Sequence, residues 1–292
     1  LKILGAIAYG LVHWHYYGGG DTWAYLQYAK HIFYETLPHE PLHFLELVFL
    51  PNARTPPPYL QDIIAPIVGW SDVRTYTMYR VNALMLFFSG GGYYYVHAVF
   101  FAFLSMTGLV GIYRALFPHT PIEQQIKPIV PNSMWGNWAY GALFCIPSVV
   151  FWGSGVHKEA LTLFCLGMIL YHIMSIPRFW MYWQKIGIML TCCLLLALMR
   201  PYVLALLLPA LLAWYLAPIA NKRWQLPLVI TYLAVYGTGM LLVTLLPVLQ
   251  NNWNILAKIQ AIQYVFVVYE SGGSDVYLPL IGAPNWWEVM KV

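Results

Sequence analysis

Apolar stretches long enough to cross the roughly 30 Å hydrocarbon core of a bilayer, about 20 residues each, alternate with short polar breaks along the 292 residues of this chain. The pattern predicts spans over about residues 1 to 17, 93 to 115, 136 to 153, 157 to 176, 185 to 199, 201 to 219 and 226 to 249. The fold class that follows is all-α, a polytopic transmembrane helix bundle of about seven spans. An open strand in lipid leaves its N–H and C=O groups unpaired, and the serial ten-residue alternation of a membrane β-barrel is missing from the sequence. Val81 to Phe88 is too short to cross and runs into Ser89-Gly90-Gly91-Gly92, so residues 78 to 92 read as interfacial or re-entrant.

Between the first two spans lies a long outer loop, residues 18 to 92. After Gly18-Gly19-Gly20, Asp21 opens a helical pattern with Leu26, Ala29, Phe33 and Leu37 on one face, and the spacing predicts an amphipathic helix along the membrane surface. A second short helix is expected from His43 to Leu50, before Pro56-Pro57-Pro58. The transmembrane domain then covers residues 1 to 250, and residues 251 to 292 form an outer C-terminal segment whose stretch from Trp253 to Val268 repeats the amphipathic pattern before Gly272-Gly273. A chain that opens on Leu1 and closes on Met290-Lys291-Val292 reads as a piece of a longer protein.

Composition sharpens this picture. With 60% hydrophobic and 9% charged residues, and a mean hydropathy of +0.61, the chain fits no ordinary soluble domain. Its net charge of +4 comes from single scattered Lys and Arg residues, a pattern that excludes nucleic acid as a partner and leaves membrane lipids and membrane proteins. With seven spans, Lys2, Arg114, Lys127, Arg178, Lys185, Lys222 and Arg223 fall on one face, cytoplasmic by the positive-inside rule, while every acidic residue except Glu123 falls on the other. The N-terminus is then inside. Trp14, Trp135, Trp138, Trp152, Trp180, Trp183, Trp214 and Trp224 mark span ends. The four cysteines, Cys145, Cys165, Cys192 and Cys193, read as small buried hydrophobes and give no metal-ligand spacing.

Candidate chemistry gathers on the outer face: Asp21 after the first span, Arg80 before the second, His157-Lys158-Glu159 opening the fourth, and Arg200 between the fifth and sixth. Charge at a membrane boundary is costly, which favours a functional reading. Arg80, Lys158 and Arg200, with His157 and Glu159 beside them, suit an anionic lipid head group. Asp21 suits a general base or a ligand to a divalent cation, the one candidate cofactor. Plainer roles compete: Asp21 as an N-cap, Lys158 and Arg200 as snorkelling side chains, Glu159 as a partner of Lys158, Arg80 as an interfacial anchor, and His13 and His15 as interfacial packing.

The run Gly19-Gly20-Asp21-Thr22-Trp23-Ala24-Tyr25, with Arg80 before a span, resembles the amino-terminal module of the GT-C superfamily of integral membrane glycosyltransferases. Ile146 to Glu159 and Leu198-Met199-Arg200-Pro201-Tyr202 are similar to stretches of GT-C-like and polysaccharide-polymerase-like proteins of bacterial envelopes. The resemblance covers about residues 1 to 215 and implies sugar transfer from a polyprenyl-phosphate or polyprenyl-diphosphate carrier on the periplasmic side of the bacterial inner membrane, with Asp21 as the acidic residue of the first outer loop that acts as base. Many such proteins carry two adjacent acids there, whereas Thr22 follows Asp21 here. Two other functions compete with transfer: a non-catalytic subunit or scaffold of a larger membrane complex, and a lipid or solute transporter, which needs a polar path across the bilayer.

Overall fold

A computed structural model describes residues 1–51, 56–117, 134–174, 183–225 and 227–249. Among the described residues every regular element is helical. The chain divides into two compact units, Leu1–Leu204 and Ala205–Val292.

In the first unit, α1 (Lys2–His15) ends at three successive glycines with φ of +66°, +114° and +61°, a left-handed run open only to glycine without strain. The Gly19 N–H returns to the His13 carbonyl at 2.7 Å, and the chain reverses into α2 (Gly20–Thr36). Next come α3 (Pro41–Phe49), with proline in its first turn, and the single-turn α4 (Gln61–Ile64). The seventeen-residue α5 (Val73–Ser89) is capped by Asp72, whose carboxylate accepts from the Arg74 N–H at 3.2 Å. A second triple-glycine reversal leads to α6 (Tyr94–Leu116).

α2 packs one face into the core of this unit. Its buried residues are Thr22, Tyr25, Leu26, Ala29, Ile32 and Thr36, and they pack with Phe44 and Leu47 of α3 and Tyr76, Met78, Tyr79 and Ala83 of α5 into one core. The expected stripe holds, with Phe33 and Leu37 partly buried against this core, and it is widened by Thr22, Tyr25, Ile32 and Thr36. Burial satisfies the Thr22 hydroxyl, which shares a 2.7 Å hydrogen bond with the Tyr94 hydroxyl. Residues 78 to 92, expected to be interfacial or re-entrant, form most of α5 and the glycine turn after it. Buried Asn82 and Ser89 bond to the ring of His97 on α6 at 2.9 and 3.0 Å and tie the two helices across that turn.

The span expected over 136 to 153 is two helices, α7 (Met134–Phe144) and α8 (Pro147–Trp152). Pro147 has no N–H to continue the ladder and holds Ile146 extended, at ψ 123°. α9 (Lys158–Met174) and α10 (Trp183–Met199) follow, and α11 (Pro201–Trp224) starts immediately after Arg200. α6 and α9 meet backbone to backbone: a Cβ on Gly167 would strike the Gly108 carbonyl, and one on Gly111 would lie 2.7 Å from the Gly167 oxygen. Small residues permit such approach where lipid supplies no hydrophobic drive between helices.

In the second unit, the continuation of α11 carries Pro209 and Pro218, and α12 (Leu228–Leu249) lies beside it, with Gly239 fitted against Pro209. Trp214, Tyr215, Ala217, Pro218, Leu228 and Tyr232 line an apolar groove of about 340 Å³.

By length and composition, Tyr94–Leu116 and Pro201–Arg223 are able to cross a membrane, while Trp183–Met199 and Leu228–Val243 are shorter apolar helices. The expected C-terminal outer segment, with its amphipathic stretch, and the loops bearing Lys127 and Arg178 lie outside the described residues.

Candidate functional site

The end of α1 and the first turns of α2, α5 and α9 come together with the junction of α10 and α11, and four sequence-distant segments bring their charges to this point. Asp21, in the first turn of α2, is exposed. It does not serve as the N-cap: Gly19 holds that position without a side-chain cap. The Asp21 carboxylate accepts one long hydrogen bond, 3.5 Å, from the Tyr25 hydroxyl. Its charge also reaches Tyr9, Tyr79 and the Lys158 ammonium. Burial first, then the Asp21 charge, raises the pKa of Tyr25 far above its ordinary value. Burial, then Tyr28 and Asp21, does the same for Tyr79. Both phenols are therefore neutral hydrogen-bond donors.

Lys158 opens α9. Its ammonium donates to Thr75 Oγ1 at 3.1 Å, and the Thr75 hydroxyl donates to Asp72 Oδ2 at 2.6 Å, so the carboxylate that caps α5 also steadies the lysine of α9. The ammonium stands 5.8 Å over the Tyr25 ring, a weak cation–π contact. Beside it, Glu159 pairs one carboxylate oxygen with Arg200, and the His157 ring, kept neutral by burial, stands against the other. Glu159 thus pairs across helices with Arg200 rather than with its neighbour Lys158. Arg200 occupies the break that Pro201 imposes, its own N–H still bonded to the Leu196 carbonyl at 2.7 Å. Its second amine donates to the Tyr202 hydroxyl at 2.5 Å.

Asp21, His157, Lys158, Glu159 and Arg200 therefore form one electrostatically connected group. Arg80 is turned elsewhere. Its guanidinium donates to the Leu47 carbonyl at 3.1 Å and to the Leu50 carbonyl, at the C-terminal end of α3, and lies 4.8 Å over the Tyr76 ring. That is a helix C-terminus held by a cation, a favourable dipole arrangement.

Asp72 and Thr75 belong to the site and were not legible as such: they sit in the outer loop among other polar residues, and only the packing of α5 on α2 brings them to Lys158. Aromatic rings line its other side. Tyr9 and His13 stack at 3.9 Å, and Tyr9 stands 6.0 Å from His157 and 5.8 Å from Trp152. His13 Nδ1 bonds to the Tyr9 carbonyl at 2.9 Å. Among the described residues no three His, Cys, Asp or Glu side chains are grouped so as to hold a metal ion.

No family model, curated protein or solved structure matches this chain.

Proposed function

We propose that the chain is a polytopic, GT-C-like membrane glycosyltransferase of a bacterial inner membrane that transfers a sugar from a polyprenyl-phosphate carrier on the periplasmic face. The observation that supports this reading is an exposed carboxylate, Asp21, held by a single long hydrogen bond, whose charge, after that of Asp72, acts on the Lys158 ammonium. Asp21 takes the proton of an acceptor hydroxyl as that oxygen bonds to the anomeric carbon. The bond from this carbon to the carrier phosphate breaks, and its electron pair leaves with the phosphate oxygen, whose charge Lys158 and the first N–H groups of α9 meet. Arg200 and Glu159 hold the start of α9 in place, and Arg80 fixes α3 to α5 behind Asp72.

A second reading, a non-catalytic subunit of a membrane assembly, is favoured by a different observation: Lys158 and Arg200 each already have a partner within the chain. The two separate on binding of a C55 polyprenyl monophosphate to the chain in nanodiscs. Saturable binding that weakens about tenfold in Lys158→Ala, the loss of one charge-assisted contact, is expected for the transferase. Equal binding by wild type and Lys158→Ala contradicts it.

A further inference from the structure

Lys2 was expected at the cytoplasmic boundary, as a reporter of orientation. It is instead buried, at 9% exposure, and its ammonium donates to Ser105 Oγ at 3.1 Å, Val149 O at 2.8 Å and Gly153 O at 3.1 Å. Three N–H donors meet three acceptors, none of them a carboxylate. Ser105 is the twelfth of the 23 residues of α6, about 16 Å along the axis from Tyr94 at 1.5 Å per residue. The ammonium therefore faces the middle of a helix long enough to cross a bilayer, where ionised side chains are rare and costly.

What it binds there is specific. α8 stops at Trp152, and Lys2 meets the carbonyls at its C-terminal, negative dipole end: that of Val149, which also accepts the Gly153 N–H at 3.2 Å, and that of the C-cap residue Gly153. The rest of the same α1 stripe rests on the same segment. A Cβ on Gly5 would lie 2.5 Å from the Val150 carbonyl, and Tyr9 fills the space beside Gly155 while its ring sits 5.1 Å from Phe151. Lys2, Gly5 and Tyr9 follow i, i+3, i+7 spacing. Above this ledge Gly153, Ser154, Gly155 and Val156 are all buried, and they lead directly into His157-Lys158-Glu159.

We propose that Lys2 is a positioning residue: its ammonium fixes the end of α8 and the Gly153–Val156 turn, and through that turn sets where His157, Lys158 and Glu159 stand. The positioning role rests on the proposed function of that cluster, whereas the hold on the turn does not.

The test is amide hydrogen exchange of the whole chain in nanodiscs, for wild type, Lys2→Met and Gly153→Ala, together with binding of the C55 polyprenyl monophosphate. Gly153→Ala keeps the ammonium but sets a methyl group 2.7 Å from its Nζ and from the Val149 carbonyl. Both variants are expected to lose protection about tenfold across residues 153 to 158, with the other helices still protected, and to bind the monophosphate about tenfold more weakly. Wild-type protection of 153 to 158 in Lys2→Met overturns the proposal. Where Lys2→Met unfolds throughout, Gly153→Ala decides: a local loss supports the hold, and wild-type exchange overturns it. Local loss of protection in a chain whose wild type binds no monophosphate supports the hold of Lys2 on the turn and removes the functional reading of the cluster.

Discussion

Lys158 and Thr75, 83 positions apart in sequence, are joined by a 3.1 Å hydrogen bond, and the Thr75 hydroxyl passes its own proton toward Asp72 at 2.6 Å. A loop residue thereby becomes part of the setting of a helix-opening cation. Thr75→Val removes the acceptor that Lys158 uses while leaving Asp72 to cap α5. Weaker monophosphate binding than wild type, with the melting temperature lowered by no more than the loss of one hydrogen bond, about 1 kcal/mol, is the expected result. Asp72→Asn keeps a capping side chain but removes the charge, and is expected to act on binding more than on unfolding.

Glu159 and Arg200 make the cross-helix ion pair of the cluster, both partly exposed. A double-mutant cycle of Glu159→Gln and Arg200→Met, read by thermal unfolding in detergent, is expected to return a coupling of about 1 kcal/mol, since solvent screens half-exposed pairs. Additive single-variant effects would show that the pair does not lock α9 to the α10–α11 junction.

The backbone meeting of α6 and α9 leaves no room for a methyl group at Gly108 or Gly167. Gly167→Ala is expected to destabilise the chain by about 1–3 kcal/mol through overpacking, measured as urea or thermal unfolding. Gly141, which faces open space, tolerates the same change.

The Tyr76 hydroxyl is buried without a hydrogen-bond partner, at 0% exposure, and burial raises its pKa well above the usual phenol value. A folded-state pKa above the unfolded one contributes stability below the unfolded pKa, about 10, and loses it as pH rises beyond that value. Tyr76→Phe is therefore expected to be neutral or stabilising by about 1 kcal/mol at pH 7, and to lessen the loss of stability in a series from pH 9 to pH 11. A destabilised Tyr76→Phe would mean that the hydroxyl has a structural role.

The helices were legible where apolar length or a sharp breaker sets them: α6 and α10 fall close to the expected spans, and α2 begins at the glycine run. The break inside 136 to 153 falls at Pro147, a single breaker hidden in a continuous apolar run. Asp21, Lys158 and Arg200 stood out because charge is scarce in this sequence. Asp72 and Thr75 did not, because the outer loop is rich in polar residues and nothing local marks the two that face α9. Lys2 was misplaced for a related reason: the charge rule assumes that a lysine near a span end reaches water, whereas the broken end of α8 supplies carbonyls deeper in the bundle.

The most direct measurement is sugar transfer by the purified chain in nanodiscs from a panel of polyprenyl-phosphate-linked sugars, comparing wild type with Asp21→Asn, which keeps the shape of the side chain and removes its basicity. The account predicts turnover by wild type and a loss of about a hundredfold or more in Asp21→Asn, with binding of the polyprenyl monophosphate unchanged. Wild-type turnover in Asp21→Asn, or no transfer by the wild type from any sugar of the panel, contradicts it.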